Sequence, residues 1–270
     1  MNQSLVKSTS ASNDDKSDHP ALSAALVIGA SGGIASAIIA ELLKDPSIDL
    51  LVAISRKAQP AELADPRVQW HCCDYSEGAI TTIATQIGTE YSTRVFKQVF
   101  ICHGILHNST IKPEKRLEDL NSESLHEVFH VNAVLPTLWL KALRPILSKK
   151  NPATQDQQSC YVAVLSARVG SISDNQLGGW YSYRASKSAL NMLLKNAAIE
   201  YSRRAKNIKL IAFHPGTTDT ELSKPFQKNV PTEKLFNSSF VARQLLSLLE
   251  QQLIDGQLSY VDWNHKTIEW

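Results

Sequence analysis

Two side chains that together can move a proton stand four residues apart in the segment YSYRASKSAL. Tyr183 and Lys187 have the spacing that puts both on one face of a helix. A phenol has an ordinary pKa near about 10, but a nearby ammonium favours the phenolate and lowers that pKa. The pair therefore predicts general acid–base chemistry at Tyr183, such as protonation of a carbonyl oxygen. The same spacing also arises by chance, so the pair alone leaves a structural helix open.

A proline in an earlier predicted helix frees a carbonyl group. Pro136 follows Asn132 by four residues and has no N–H, so the Asn132 carbonyl loses its usual helical partner and the helix is expected to kink. An ordered water at that carbonyl would connect Lys187 to solvent as a proton path. A packing kink without chemical role is the alternative.

One serine stands at the end of a predicted strand, just before the segment that carries Tyr183. Ser166 directly follows the predicted strand 160–165. Ligands of open α/β sheets bind at the carboxyl ends of strands. Ser166 is therefore predicted to lie beside a bound ligand, which favours a catalytic role for this part of the chain.

The segment ALVIGASGGIASAIIAELL predicts a buried strand, a glycine turn and an amphipathic helix. Gly29 permits the tight turn, while Gly32 and Gly33 let backbone amides approach a ligand. The helix that follows points its unpaired N–H groups and positive dipole end at that ligand, which suits a phosphate or pyrophosphate. A merely structural turn is the alternative.

The next two strand ends predict which dinucleotide binds. In dinucleotide folds an acidic residue after the second strand binds the ribose 2′-OH, whereas an arginine accommodates a 2′-phosphate. Here Ser55, Arg56 and Lys57 stand in that place, which favours NADP(H) over NAD(H), although an exposed pair of solvated cations remains open. Asp74 follows the third strand and is expected to accept a hydrogen bond from the adenine amine.

Strands and helices alternate along the rest of the chain, which predicts an α/β fold. Such alternation indicates a doubly wound, about seven-stranded parallel sheet with helices on both faces. The expected strands are 24–28, 50–54, 68–72, 95–102, 160–165, 208–213 and 258–261. The expected helices are 34–44, 78–89, 122–147, 185–203 and 240–252, and the Pro-containing connection AQPAELADPR is expected to hold only a weak helix.

Length and composition fit one large domain. The chain has 270 residues, 43% of them hydrophobic, and a net charge of +2, which argues against a dedicated nucleic-acid or membrane-surface binder. Its four cysteines show no disulfide or metal spacing, so no metal and a reducing compartment are expected. Residues 1–20 are polar and predicted to be a disordered tail, followed by a domain over 21–270. Without a signal peptide or about 18 consecutive apolar residues, a soluble cytoplasmic protein is the expectation.

These motifs together resemble the short-chain dehydrogenase/reductase family, from about Ala24 to the C-terminus. The family's glycine signature is GASGGIA, its Tyr-x-x-x-Lys is YRASK, and its helix asparagine corresponds to Asn132. Pro215-Gly216 after the sixth strand also matches. The segments HGILHNSTIKPEKRLEDLN, LSARVGSISDNQLGGWYSYRASKSALNM and FHPGTTDTELSKPF look most like the branch of C-factor signalling proteins and sniffer-type carbonyl reductases.

The resemblance implies roles for further residues. It implies that Lys187 also holds the nicotinamide ribose. Besides the glycines and the residues at the ends of the second and third strands, the cofactor contacts that it implies are Ser31, Ile34, Tyr75, Cys102, His103, Gly104, Tyr183, Lys187, Pro215, Gly216 and Thr218. Segment 217–235 is polar, contains two prolines and has little periodicity, which predicts a small, mobile loop over the substrate and nicotinamide. His103 and Cys102 are expected to be structural rather than catalytic, since no carboxylate or second thiol stands at a usable spacing.

Three departures from the family pattern stand out. The third glycine is Ala35, and the Asn-Asn-Ala-Gly after the fourth strand is Ile-Cys-His-Gly. Aligning on Gly170 puts Ala167 where the family's catalytic serine belongs, one residue after Ser166. The resemblance therefore implies that Ser166 is the catalytic serine that polarises the substrate oxygen, with Ser171 and Ser173 in the next loop as alternatives. Losing one hydrogen bond to a developing oxyanion costs about 2.7–4 kcal/mol, so a slow reductase is still compatible with this change.

The expected function is hydride transfer between NADP(H) and a carbonyl or secondary alcohol. NAD(H) is the less favoured cofactor. The rival hypothesis is a C-factor-like signalling protein that binds the cofactor with little turnover. The family resemblance also implies a homo-oligomer, a dimer or tetramer, with a small-molecule substrate and neither nucleic acid nor membrane as partner.

Overall fold

The apolar, β-branched runs form the strands of a parallel sheet. The computed structural model describes residues 23–150 and 155–270, in which the strands are β1 (Ser23–Ile28), β2 (Ile48–Ser55), β3 (Val68–Cys72), β4 (Phe96–Ile101), β5 (Cys160–Leu165), β6 (Ile208–His214), β7 (Thr217–Thr218), β8 (Leu235–Phe236) and β9 (Ser259–Asp262). Seven of them pair in the order β3-β2-β1-β4-β5-β6-β9, all parallel, and β7 pairs separately with β8. The predicted doubly wound α/β fold is confirmed.

Helices cover both faces of this sheet. They are α1 (Gly33–Leu42), α2 (Glu77–Glu90), α3 (Ser122–Phe129), α4 (Leu135–Leu147), α5 (Tyr181–Arg204) and α6 (Ser238–Glu250). One hydrophobic layer joins α1 and α6 to the sheet, and the layer on the opposite face joins α2, α4 and α5 to it. Parallel strands are buried on both faces, which explains why β1 consists entirely of buried residues.

The expected kink before Pro136 takes the form of a π-helical turn. A single helix over 122–147 is therefore not what forms: α3 and α4 are separated by the π-helical segment His130–Val134. The Leu135 N–H donates to the His130 carbonyl five residues back. Because Pro136 has no N–H, the ordinary i to i−4 ladder cannot continue through this point.

The crevice between the two halves of the sheet follows from the strand order. From β1 the chain moves outward to β2 and β3, then returns across β1 to β4 and continues to β5 and β6. In doubly wound sheets a reversal of this kind is where a ligand crevice forms, beyond the carboxyl ends of the strands. The chemistry-bearing residues predicted from the sequence follow these ends.

Three further expectations concern the N-terminal tail, membrane-spanning helices and the weak helix after β2. The predicted tail, residues 1–20, lies outside the described residues. No helix within 23–150 or 155–270 combines the length and hydrophobicity needed to cross a membrane. The weak helix expected in AQPAELADPR is a single 3₁₀ turn, Ala61–Leu63.

Candidate active site

The turn between β1 and α1 leaves backbone N–H groups available to an anion. Gly29 has a φ of 78°, and a Cβ there would lie 3.3 Å from the backbone carbonyl carbon of Cys102, so the turn and its close packing both require glycine. Gly32 precedes α1 without a side-chain cap, and the first turn of α1 has no acidic residue. Because the first N–H groups of a helix lack intrahelical partners, this end suits a phosphate or pyrophosphate.

Two serines connect this turn to the end of β2. The Ser55 hydroxyl donates to the Ser31 hydroxyl at 2.8 Å and accepts from the Lys57 N–H at 3.1 Å. Ser55 is buried, whereas Arg56 beside it is exposed. No carboxylate within 23–150 or 155–270 forms an ion pair with Arg56, whose guanidinium carbon lies 5.8 Å from the Tyr75 ring centroid. This guanidinium is available to a bound anion.

The residues after β3 differ in their exposure. Asp74 is exposed and accepts from the Ser76 N–H at 2.8 Å, a hydrogen bond that lowers the pKa of its carboxyl. Tyr75 has a φ of 67° and is buried, with its ring edge-on to His103 at 4.5 Å between centroids. Asp74 is thus open to solvent, while Tyr75 packs against His103.

The loop after β4 carries two buried groups and a glycine. Burial raises the pKa of the Cys102 thiol to about 12, so the thiol stays protonated and unreactive at neutral pH. Burial, with smaller contributions from the charges of Arg56 and Lys187, lowers the pKa of His103 to about 3, and the imidazole is therefore neutral. Its Nε2 is buried with no hydrogen-bond partner among the described residues.

Gly104 marks the point where the candidate catalytic side chains meet. A Cβ at Gly104 would lie 3.9 Å from both Asn132 Oδ1 and Lys187 Nζ, and 3.7 Å from the Leu222 side chain. Lys187 is 2% exposed, and its Nζ donates to the Leu165 carbonyl at 2.8 Å. The Lys187 Nζ is also 5.9 Å from the centroid of the half-buried Tyr183 ring. The phenol and the amine thus stand on one face of α5, beside the backbone of the β4 loop.

Burial governs the ionisation of this pair. It raises the pKa of Tyr183 to about 12 and lowers the pKa of Lys187 to about 7. The expected lowering of the phenol's pKa by the ammonium is therefore outweighed by desolvation in this structure. The phenol is in its proton-donating form at neutral pH.

Asn132 braces the β4 loop with its side chain. The Asn132 amide accepts from the Ile105 N–H at 2.8 Å and donates to the Ile105 carbonyl at 2.9 Å. It also donates to the Ser186 hydroxyl at 3.0 Å, and that hydroxyl donates to the Tyr183 carbonyl at 2.8 Å. The π-helical turn, the β4 loop and α5 are therefore joined through one fully buried asparagine.

Ser166 points into the core rather than simply standing at the strand end. Its buried hydroxyl donates to Asn191 Oδ1 on α5 at 2.6 Å. Its alternatives are also partnered: the Ser171 hydroxyl accepts from the Asp174 N–H and lies 3.2 Å from the Ser173 hydroxyl. A role of Ser166 in polarising a substrate oxygen stays a prediction, since its hydrogen is already donated to Asn191.

The glycine directly before the predicted substrate loop has no room for a side chain. Gly216 has a φ of 72°, and a Cβ there would lie 2.6 Å from the Phe236 ring. Thr218 is buried, and its hydroxyl donates to the Pro215 carbonyl at 3.3 Å. The loop also reaches the glycine turn, since a Cβ at Gly33 would lie 3.1 Å from Thr220 Cγ2.

Aromatic rings connect this loop to the candidate catalytic tyrosine. The Trp180 ring lies edge-on to Tyr183 at 6.2 Å and to Phe226 at 5.1 Å. His107 lies 5.6 Å from Phe226, and its Nε2 is 3.1 Å from the Leu222 carbonyl. We call the side chains of His107, Trp180 and Phe226 the aromatic wall.

A known protein family matches most of this chain. The sequence profile of the family described as short chain dehydrogenase matches residues 23–231, which is more than half of the chain. This chain belongs to the short-chain dehydrogenase family. The match runs from β1 through the greater part of the predicted substrate loop.

Curated relatives of this short-chain dehydrogenase include oxidoreductases and a signalling protein. The 1-hydroxy-2-glutathionyl-2-methyl-3-butene dehydrogenase of Rhodococcus sp. (strain AD45) is 26% identical over 76% of this chain and 82% of its own. The benzil reductase ((S)-benzoin forming) of Bacillus cereus is 23% identical over 88% of this chain and 98% of its own. The C-signal protein of Myxococcus xanthus is 30% identical over 40% of this chain and 60% of its own.

Solved structures share the fold over nearly the whole length. The carbonyl reductase Sniffer of D. melanogaster superposes with a TM-score of 0.79, covering 92% of this chain and all of its own, at 21% identity. The NADPH-bound carbonyl reductase from chicken fatty liver gives a TM-score of 0.76 over 92% of this chain and 99% of its own, at 23% identity. The resemblance to the short-chain family noted from the motifs is confirmed.

Sequence reasoning did not single out several polar residues of this short-chain dehydrogenase. Ser182, Ser186 and Asn191 are buried polar residues of α5, the helix that carries Tyr183 and Lys187, and the buried Glu114 accepts hydrogen bonds from Ser182. Ser182 and Ser186 stand within the recognised YRASK region, but polar residues on a helix give no sign of which partner they reach. Within 23–150 and 155–270, no group of three or more His, Cys, Asp or Glu side chains is arranged to hold a metal ion.

Proposed function

We propose that this short-chain dehydrogenase is an NADP(H)-dependent carbonyl reductase. The observation that carries the proposal is the convergence of Tyr183, Lys187 and Asn132 at Gly104, next to the crevice that the glycine turn opens. A phenol that holds its proton at neutral pH suits the direction in which a carbonyl is reduced. The NADPH-bound structure named above has the same fold and supports the choice of cofactor.

In the proposed reaction, Tyr183, Lys187 and Asn132 would each have a separate role. NADPH, when bound, supplies a hydride to the carbonyl carbon. Tyr183 gives its phenolic proton to the carbonyl oxygen, so the product is an alcohol. Lys187 holds the nicotinamide ribose and compensates the negative charge left on the phenolate, and a water at the Asn132 carbonyl returns a proton from solvent.

The cofactor fits the residues on the crevice side of the sheet. The uncapped start of α1 suits the pyrophosphate, and Arg56 has no ion-pair partner in the described part of the chain, which suits a 2′-phosphate. NAD(H) remains the alternative, which Arg56→Asp distinguishes.

We propose an aryl ketone or aryl diketone as the substrate class. The aromatic wall stands directly beside Tyr183, and a planar ring gains about 0.5–1.5 kcal/mol from an edge-to-face aromatic contact beyond its area burial. The benzil reductase of Bacillus cereus, similar over most of both chains, is named for a diaryl diketone. The proposed reaction is therefore reduction of one carbonyl next to an aromatic ring.

The test is NADPH oxidation with a panel of aliphatic aldehydes, quinones, aryl ketones and benzil. We expect turnover, fastest with the aryl ketones and benzil, and a tighter dissociation constant for NADPH than for NADH. NADPH binding without turnover of any carbonyl would overturn the reductase and support the C-factor-like alternative, which the likeness to C-signal favours. Absence of binding to either nucleotide would overturn both.

The aromatic wall yields a prediction of its own. Trp180→Leu should lower kcat/KM about five-fold for an aryl methyl ketone, because the edge-to-face contact is lost. Leucine keeps an apolar side chain at the same left-handed position, so the backbone demand is unchanged. The matched control is the cyclohexyl analogue of the same ketone. An equal loss for both ketones would show that aromaticity is not what Trp180 recognises.

The low pKa of Lys187 gives a pH prediction. Below about 7 the amine is charged, and it loses its proton as the pH rises through that value, while Tyr183 stays protonated up to about 12. The kcat/KM for ketone reduction should therefore fall tenfold per unit above pH 7, measured from pH 5.5 to 9.5. Lys187→Met should give a low, flat profile. A wild-type profile that is flat through this range would contradict the role of the ammonium.

We further propose a homo-oligomer in the cytoplasm. All four cysteines are free, with Cys73 and Cys160 buried, which is consistent with a reducing compartment. Exposed apolar side chains on the outer helices, Val134, Met192 and Ile199, support self-association. Light scattering at several protein concentrations distinguishes monomer, dimer and tetramer.

A further inference from the structure

The three residues directly before α5 have left-handed backbone torsions, and the loop that follows β4 forms a hydrogen bond with the last of them. Gly178, Gly179 and Trp180 have φ values of 63°, 65° and 50°. Trp180 is the only one with a Cβ, so its conformation costs energy that neighbouring contacts must offset. The Trp180 N–H donates to the Glu114 carbonyl at 2.5 Å, and the Arg184 Nε donates to the Gly179 carbonyl at 3.0 Å.

The side chain of Glu114 completes this attachment. Glu114 is only 4% exposed, and its carboxyl oxygens accept from the Ser182 N–H at 3.2 Å and from the Ser182 hydroxyl. Helix α5 has no side-chain cap of its own and no acidic residue in its first turn. Glu114 therefore satisfies an orphan N–H of α5 from another segment and places an acceptor at the positive end of the helix.

The residue that Glu114 holds stands directly before Tyr183. The direction of the Tyr183 phenol depends on where α5 begins, because Tyr183 lies in its first turn. A helix start that frays would let the phenol swing, whereas Lys187 one turn later is held separately through Leu165. Frayed ends are the least stable part of a helix, so an acceptor here has its greatest effect on Tyr183.

We propose that Glu114 is a positioning residue for Tyr183, acting through Ser182 to fix the first turn of α5. This inference rests on the proposed reductase activity. Glu114 itself touches neither the phenol nor, in our proposal, the substrate. Its effect should fall on the chemical step and leave cofactor binding unchanged, since misplacement of a reacting group by about 1 Å can cost about 10²-fold in rate.

The test compares Glu114→Ala and Glu114→Gln by steady-state kinetics with an aryl ketone. We expect Glu114→Ala to lower kcat about tenfold, with the dissociation constant of NADPH within about two-fold of wild type. Glutamine keeps one acceptor oxygen for the Ser182 N–H, so Glu114→Gln should recover most of the rate. Ser182→Ala should lower kcat by about as much as Glu114→Ala, and the double variant should add little to either single one.

A variant that loses a helix cap far from Tyr183 distinguishes the positioning of Tyr183 from a general loss of stability. Asn237 caps α6, where its side chain accepts from the Phe240 N–H at 2.7 Å, and α6 carries none of the site residues. Asn237→Ala should lower the thermal midpoint, as Glu114→Ala does, without changing kcat. Wild-type kcat in Glu114→Ala, or an equal kcat loss in Asn237→Ala, would overturn the assignment. A wild-type enzyme that reduces no carbonyl would instead overturn the proposed function, and this inference with it.

Discussion

Tyr183→Phe should lower kcat for ketone reduction by about 10³-fold, because the variant lacks the phenolic proton that we propose is given to the carbonyl oxygen. The ring would keep its contact with Trp180, so the loss would be confined to the hydroxyl. Lys187, held by the Leu165 carbonyl, would remain in place to contact the nicotinamide ribose. We therefore expect the dissociation constant of NADPH, measured by fluorescence, to change less than about three-fold while single-turnover reduction nearly stops.

The same chemical change further along α5 serves as the control. Tyr201 is buried, and its hydroxyl donates to the Leu140 carbonyl at 2.9 Å, far along the helix from the candidate site. Tyr201→Phe should cost about 1 kcal/mol of stability and leave kcat unchanged. If Tyr183→Phe reduced the ketone as fast as wild type, the proton would have to come from another group, and the proposed role of Tyr183 would be wrong.

Arg56→Asp is expected to weaken NADPH binding by about 10²-fold. The change removes a guanidinium that can pair with a 2′-phosphate and adds a carboxylate that repels it. The same carboxylate can accept from the 2′-hydroxyl of NADH, so NADH binding should strengthen. Titration calorimetry with both nucleotides measures the reversal of preference.

A charge-matched variant checks that the effect is local. Arg203 near the end of α5 is exposed, and Arg203→Asp makes the same change in net charge. At moderate salt it should alter NADPH affinity by less than about two-fold, because exposed charges beyond about 10 Å are screened. If Arg56→Asp bound NADPH as tightly as wild type, Arg56 would not be the residue that binds the 2′-phosphate, or NAD(H) would be the preferred cofactor.

The fold could be predicted from the sequence because the residues that indicate its strands and its glycine turn are close together in the chain. The run ALVI before the glycine turn is fully buried in β1, and the seven strands of the main sheet lie within two residues of their expected bounds. The π-helical turn was anticipated only as a kink, since Pro136 removes an N–H without specifying how the ladder re-forms. Helix α5 starts at Tyr181, four residues before the expected start, because Glu114 supports its first turn from a distant loop.

The direction of a side chain was harder to predict than its place on an element. Ser166 stands at the strand end, as expected, but only the packing of α5 against β5 decides that its hydroxyl meets Asn191. The protonation of the Tyr183–Lys187 pair likewise depends on burial, which no spacing reveals. Contacts between segments distant in sequence determine both properties.

The left-handed run before α5 also limits where the chain can be varied in laboratory evolution. Around Gly178 there is open space within 4 Å of an added Cβ, but its φ of 63° penalises almost every side chain except those that tolerate the left-handed region, such as Asn or Asp. Ile172 and Leu177 carry no such torsional penalty and are 78% and 91% exposed. Libraries at these two positions should yield folded variants far more often than libraries at Gly178 and Gly179.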